Sequence, residues 1–114
     1  LLDAPCSGSG VIRRHPDIKL LRRASDIEQL AKQQRDLLHA LWPLLKTGGK
    51  LLYATCSILP QENEYIIHNF LTEEETAIEL DIVVHYDQSR QHGIQILPGE
   101  HNMDGFFYAC LQKN

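Results

Sequence analysis

Three cysteines, at positions 6, 56 and 110, are the strongest potential nucleophiles in this sequence. Cys6 and Cys56 share a context. Each stands among small or polar residues, in Pro5-Cys6-Ser7-Gly8 and in Thr55-Cys56-Ser57, where packing has little use for a thiol. Cys110 lies in a run of apolar residues and reads as a small buried side chain, the commonest fate of a free cysteine. That bland reading also stays open for the other two, as does a regulatory disulfide, although no redox motif accompanies them.

Two thiols at one site would suit covalent catalysis, which divides one hard step into easier ones. Cytosine offers an example. Its carbon 5 is a poor nucleophile toward a methyl donor, but a thiolate added at carbon 6 turns the ring into an enamine that can attack a methyl group. The carbon-5 proton must then leave and the thiol be eliminated, and a second polar group nearby could assist. A carboxyl group near the ring's N3, such as Asp3, would favour the electron-accepting form.

For this to happen the chain must bring the thiols together. Residues 1–3 read as the end of a buried strand and residues 50–55 (KLLYAT) as a strand covered on both faces. If a right-handed crossover makes them parallel neighbours, both thiols emerge at the carboxyl end of one sheet. Adjacent strands lie about 4.8 Å apart, and open α/β sheets place their ligands in that crevice.

Between the two strands, residues 5–16 form a loop rich in Gly, Ser and Pro, where glycine permits positive φ and close backbone approach to a ligand. A long helix follows, capped by Ser25 (with Glu28 in the capping-box position) or by Asp26. Ile27, Leu30, Ala31, Leu37, Leu38, Leu41, Leu44 and Leu45 mark its buried face. Pro43 distorts its last turn and Gly48-Gly49 stops it. Trp42 is expected to pack at its end. A second helix is expected over residues 61–74 behind Pro60, and strands over 78–84, 94–97 and 106–111, the last entered through Asp104-Gly105. Strand, helix, strand, helix and then strands define an α/β layer structure. The sheet should be mainly parallel, with the final segment as an antiparallel edge strand. Because the chain opens in mid-strand, residues 1–114 are expected to be a partial domain truncated upstream.

Bulk composition narrows the classes. The chain has 114 residues, 43% hydrophobic content and net charge −4, enough for one small core. No apolar run spans a membrane and no signal-peptide pattern opens the chain. Three widely spaced cysteines outside any CxxC pair argue against a disulfide scaffold or zinc site and for a reducing, cytoplasmic setting. The six histidines (15, 39, 68, 85, 92 and 101) lack metal-ligand spacing, and none is tied by motif to a cysteine as a hydrolase would require. Glu73-Glu74-Glu75 reads as a solvated face, His101 as an exposed loop residue, and at least one of Phe106 and Phe107 as core, with base stacking the lesser alternative. Residues 1–50 carry nine Lys/Arg against five Asp/Glu, and residues 51–114 two against ten. Arg13, Arg14, Lys19, Arg22 and Arg23 form a basic stripe that could meet a phosphate backbone or simply be solvated.

The motifs resemble one family. The stretch from Asp3-Ala4-Pro5-Cys6-Ser7-Gly8 through Arg13-Arg14-His15-Pro16-Asp17 resembles motif IV of the Sun/Fmu-type RNA cytosine-C5 methyltransferases. Tyr53-Ala54-Thr55-Cys56-Ser57-Ile58, followed by Pro60, Glu62, Asn63 and Glu64, is similar to their motif VI. Leu97-Pro98 with Asp104-Gly105-Phe106-Phe107-Tyr108-Ala109 is similar to their C-terminal motif. The matches stand in order and span nearly the whole chain.

The resemblance implies the C-terminal half of a Rossmann-like methyltransferase dependent on S-adenosyl-L-methionine. It implies Cys56 as nucleophile, Cys6 as an aid to product release, and Asp3 near donor and base. Pro5 would border the donor, Arg13 and Arg14 would contact RNA, and the substrate would be ribosomal RNA of the small (16S) subunit. The family's glycine-rich donor loop lies upstream of motif IV and is absent here, so this chain alone should be inactive. The alternative is a noncatalytic RNA-binding or interaction domain with the same architecture.

Overall fold

The final eight-residue strand organises the sheet. In the computed structural model, which describes residues 1–82, 88–89, 91–99 and 103–114, the strands are β1 (Leu2–Asp3), β2 (Lys50–Thr55), β3 (Ala77–Leu80), β4 (Gln88–Ser89), β5 (Ile94–Ile96) and β6 (Phe106–Lys113). Their order is β1-β2-β6-β5-β4, with β3 also paired to β6. Leu2 lies opposite Tyr53 in a parallel ladder. β6 runs antiparallel to β2 along one edge, and to β3 and β5 end to end along the other.

The strands β1, β2, β3 and β5 therefore point the same way, as expected. The final segment does not take the edge. It lies inside the sheet, and the antiparallel strand at the described margin is β4. The reason is visible in FFYACL, a run of largely apolar residues that suits a strand with neighbours on both sides.

The helices are α1 (Asp17–Leu21), which the sequence reading did not anticipate, α2 (Ala24–Leu41) and α3 (Glu64–Glu73); α2 and α3 pack on one face of the sheet. α2 begins one residue before the expected cap: Arg23 occupies the cap position, and its N–H donates to Asp26 Oδ2 at 2.9 Å. Pro43 stands in a 3₁₀ turn, Trp42–Leu44, that ends the helix before the Gly48 turn with its φ of 84°. Leu38, Trp42, Ile67 and Phe70 pack on Tyr53, Phe107, Ala109 and Leu111 of the sheet. Trp42 meets Phe70 edge-on at 5.1 Å and donates its indole N–H to Thr76 Oγ1 at 2.8 Å, so its polar end is satisfied. Phe107 is fully buried, while Phe106, on the other sheet face, is half-buried and stacks on Tyr108.

The strand expected over 78–84 extends over 77–80, and its remainder falls partly outside the described residues, as do His85 and His101. Among the described residues no helix is long and apolar enough to cross a membrane.

Candidate active site

The parallel pairing of β1 with β2 carries the chain past both strand ends in step. Asp3 lies opposite Ala54, and the Ala4 N–H donates to the Ala54 carbonyl at 2.9 Å. Two residues further along each chain, Cys6 Sγ and Cys56 Sγ stand 3.2 Å apart, across fifty residues of sequence. Both are free thiols at half-buried positions. The bland alternative of separate apolar burial does not describe them. Cys110, also free and half-buried, lies on β6 away from the pair.

The thiols are unequal. The Cys6 S–H bonded to Cys56 lowers the Cys56 pKa to about 7 from an ordinary 9.0. Partial burial opposes that shift, as do the negative charges of Asp3 and Glu62. The same hydrogen bond, with burial, pushes Cys6 far above the ordinary thiol range. The arrangement is therefore a thiolate-prone Cys56 receiving a proton-bearing Cys6, and the thiolate is the reactive form of cysteine.

The residues flanking the thiols are fixed by buried polar groups. Glu62, with no exposed surface, sits on a 3₁₀ turn, Pro60–Glu62, just before α3. It accepts hydrogen bonds from the Ser7 N–H at 2.8 Å, the Ser7 hydroxyl at 2.7 Å, the Gln34 amide at 3.3 Å and the Ser57 hydroxyl. Because the Ser57 proton is committed to Glu62, Ser9 must donate to Ser57 Oγ; the Ser9 oxygen in turn accepts from the Ile58 N–H at 2.9 Å. Asn63 accepts from the Thr55 hydroxyl and donates to the Ser57 carbonyl and to Gln95. The Gln34 amide also holds the Pro5 carbonyl at 2.7 Å.

Asp104 anchors the far side of the motif IV loop. Nearly buried, it receives Arg13 Nε at 2.6 Å and Arg14 Nε at 2.9 Å. The basic stripe is thus partly committed internally, although the Arg14 side chain is still 67% exposed. The Gly8–Gly10 loop, read as a place for close approach to a ligand, approaches another backbone instead. A Cβ on Gly10 would lie 2.2 Å from the Gly105 oxygen and 2.9 Å from the Cys56 oxygen.

Asp3 and Pro5, expected beside the methyl donor, lie exposed at the carboxyl end of β1. Both are open to a group bound above the sheet, and the Asp3 charge already reaches Cys56. These residues fit one margin of a donor site. The described residues hold no glycine-rich strand-to-helix turn that could wrap a nucleotide. They also hold no group of three or more potential metal ligands.

Sequence reasoning singled out the two cysteines that the structure brings together, but named Glu62, Asn63 and Asp104 only as motif residues and gave the polar frame no role. Glu62, Gln34, Gln95 and Asp104 have the composition of surface residues. One signal was available: Glu62 stands four residues before Ile66 and eight before Phe70, on the line of the buried face of α3.

The structure is an α/β sheet with a hydrogen-bonded thiol pair at the carboxyl ends of two adjacent parallel strands. A family profile described as "16S rRNA methyltransferase RsmB/F" matches residues 1–112, and the chain belongs to that family. It is 60% identical over 113 residues to ribosomal RNA small subunit methyltransferase B of Shewanella oneidensis and 54% identical over 114 residues to the probable enzyme of that name from Coxiella burnetii. It covers 99% and 100% of itself in these matches and 26% of each relative, so it spans about a quarter of their length.

Among solved structures it superposes on a methyltransferase homolog protein from Pyrococcus horikoshii with a TM-score of 0.82 and 30% identity, covering 99% of this chain and 38% of that one. It also superposes on NSun6 from Pyrococcus horikoshii with SFG, with a TM-score of 0.80, 30% identity and 98% and 29% coverage. The fold is accordingly the Rossmann-like α/β arrangement of these methyltransferases.

Proposed function

We propose that this chain is the catalytic part of a longer methyltransferase that modifies carbon 5 of a cytosine in small-subunit ribosomal RNA. The observation that carries the proposal is the 3.2 Å contact between Cys6 and Cys56, with the Cys56 thiol brought to about 7. Family membership and the names of the relatives support the substrate class.

Cys56 Sγ adds to carbon 6 of the ring, and the displaced electron pair makes carbon 5 nucleophilic. S-adenosylmethionine, bound mainly by segments outside this chain, supplies the methyl group; the neighbour solved with SFG, an analogue of that donor, supports this. Asp3, exposed beside the thiols, offers its carboxyl group to the ring's N3. Once water takes up the carbon-5 proton, the electrons of that bond restore the ring's double bond, the carbon 6–sulfur bond breaks and its electron pair returns to Cys56. Cys6 holds a proton against the departing sulfur and stabilises the thiolate as it forms, by the hydrogen bond it already makes in the resting protein.

The basic stripe, with Arg14 still largely exposed, is the proposed contact to RNA phosphates, and a reducing cytoplasm is the setting in which two free thiols persist.

The test uses the longer chain. Cys56→Ser is expected to abolish methyl transfer, and Cys6→Ala to accumulate a protein–RNA adduct that survives denaturing electrophoresis. Normal turnover by Cys56→Ser would remove the proposal. Salt-dependent RNA binding with no adduct in either protein would favour a noncatalytic RNA-binding domain.

A further inference from the structure

We propose that Glu62 is the positioning residue that fixes the two thiols against each other, by clamping Ser7, which follows Cys6, and Ser57, which follows Cys56. The inference rests on the thiol chemistry proposed above and names what holds that site together.

The two oxygens of a carboxylate offer about four acceptor positions, and here donors from three separate parts of the chain occupy them: Ser7 twice, Ser57 and Gln34. Glu62 is itself immobilised. Its carbonyl accepts the Tyr53 hydroxyl at 2.6 Å, and Tyr53 is fully buried in the centre of the sheet. The clamp is thus referenced to β2, the strand that delivers Cys56. A neutral side chain of similar size could not accept from all these donors at once. A buried carboxylate is costly unless it is fully hydrogen-bonded, and this one is.

Its electrostatic effect points away from an activating role. The Glu62 charge raises the Cys56 pKa, opposing the Cys6 hydrogen bond that lowers it. Glu62 helps the reaction by geometry and slightly hinders it by charge. The two contributions should therefore separate on substitution.

In the longer chain, Glu62→Gln removes the charge and keeps the size, so the pH midpoint for alkylation of Cys56 by iodoacetamide should move below about 7. Glu62→Ala removes the clamp as well. The Cys6 hydrogen bond, the largest influence on Cys56, is then lost, and the midpoint should rise toward the ordinary 9.0. Turnover should fall about 100-fold in the alanine variant, the scale of effect expected from an ångström of misplacement, with KM for RNA unchanged and the glutamine variant intermediate.

Slower turnover in Glu62→Gln despite a more abundant thiolate is the signature of positioning, and it decides the matter even if the alanine variant fails to fold. Wild-type turnover and an unmoved midpoint in Glu62→Gln, with Cys56→Ser inactive, would overturn the clamp and leave the thiol chemistry standing. Turnover by Cys56→Ser would instead sink the thiol chemistry itself.

Discussion

Gly10 and Gly105 meet backbone to backbone: the Gly105 N–H donates to the Gly10 carbonyl at 2.7 Å, while the Gly10 N–H donates to the Cys56 carbonyl at 2.8 Å. This contact joins three loops: those after β1, after β2 and before β6. Neither glycine has room for a side chain, since a Cβ on Gly105 would lie 2.8 Å from the Ile58 side chain and 2.9 Å from the Gly10 Cα.

Gly10→Ala should accordingly destabilise the protein by about 1–3 kcal/mol, the usual cost of overpacking a filled site. Denaturant unfolding would measure it. The same substitution should slow alkylation of Cys56 in the folded protein, because the backbone carbonyl of that residue loses its partner. An alanine variant of wild-type stability would show that the loops part without cost.

The chemistry should be pH-dependent in a stated direction. Cys56 loses its thiolate as pH falls through about 7, so adduct formation should decline below that value and level off above it. In Cys6→Ala the donated hydrogen bond is gone, and the midpoint should move up toward 9.0. Alkylation rates across pH, with Cys110 replaced to simplify the readout, would check both statements. A midpoint that ignores the loss of Cys6 would mean that the sulfur contact has no electrostatic consequence.

Asp104 and its two arginines should respond unequally. Asp104→Ala strips both guanidinium groups of a nearly buried acceptor, and a loss of about 1–3 kcal/mol is expected. Arg14→Ala removes a side chain that is 67% exposed and should cost about 0–1 kcal/mol. Its effect should appear in binding instead: the slope of log affinity for RNA against log salt should shrink by about one. An unchanged slope would remove Arg14 from the proposed RNA surface.

The segment of residues 1–114 by itself should bind S-adenosylmethionine too weakly to detect at micromolar concentration in a calorimetric titration. Asp3 and Pro5 are exposed at the end of β1, and Gly10 is closed in by the backbone of Gly105 and Cys56. Micromolar affinity would mean that these residues suffice for the donor.

The strand ends bearing Cys6 and Cys56 could be read from the sequence because local rules fix them: short apolar runs, small residues after each, and a helix of the right length between. The packing of Trp42, and of at least one of Phe106 and Phe107, was legible for the same reason. The partners that bury Glu62 and Asp104 were not. A carboxylate is buried only when specific donors meet it, and those donors lie 55 residues away in Ser7 and 91 in Arg13. Hydropathy patterns carry no trace of such distant partners. The position of β6 was missed on similar grounds, since an apolar strand near the end of a sequence does not announce how many neighbours it has.

The interior place of β6 sets an order for assembly. A ribosome delivers β2 and β3 more than twenty residues before the strand that pairs with both, so the edges that meet β6 must wait unmatched until it emerges. Folding that depends on such long-range pairing is slow and leaves sticky margins exposed in the interim. Disrupting residues 106–113 would pull out the keystone and not a fringe.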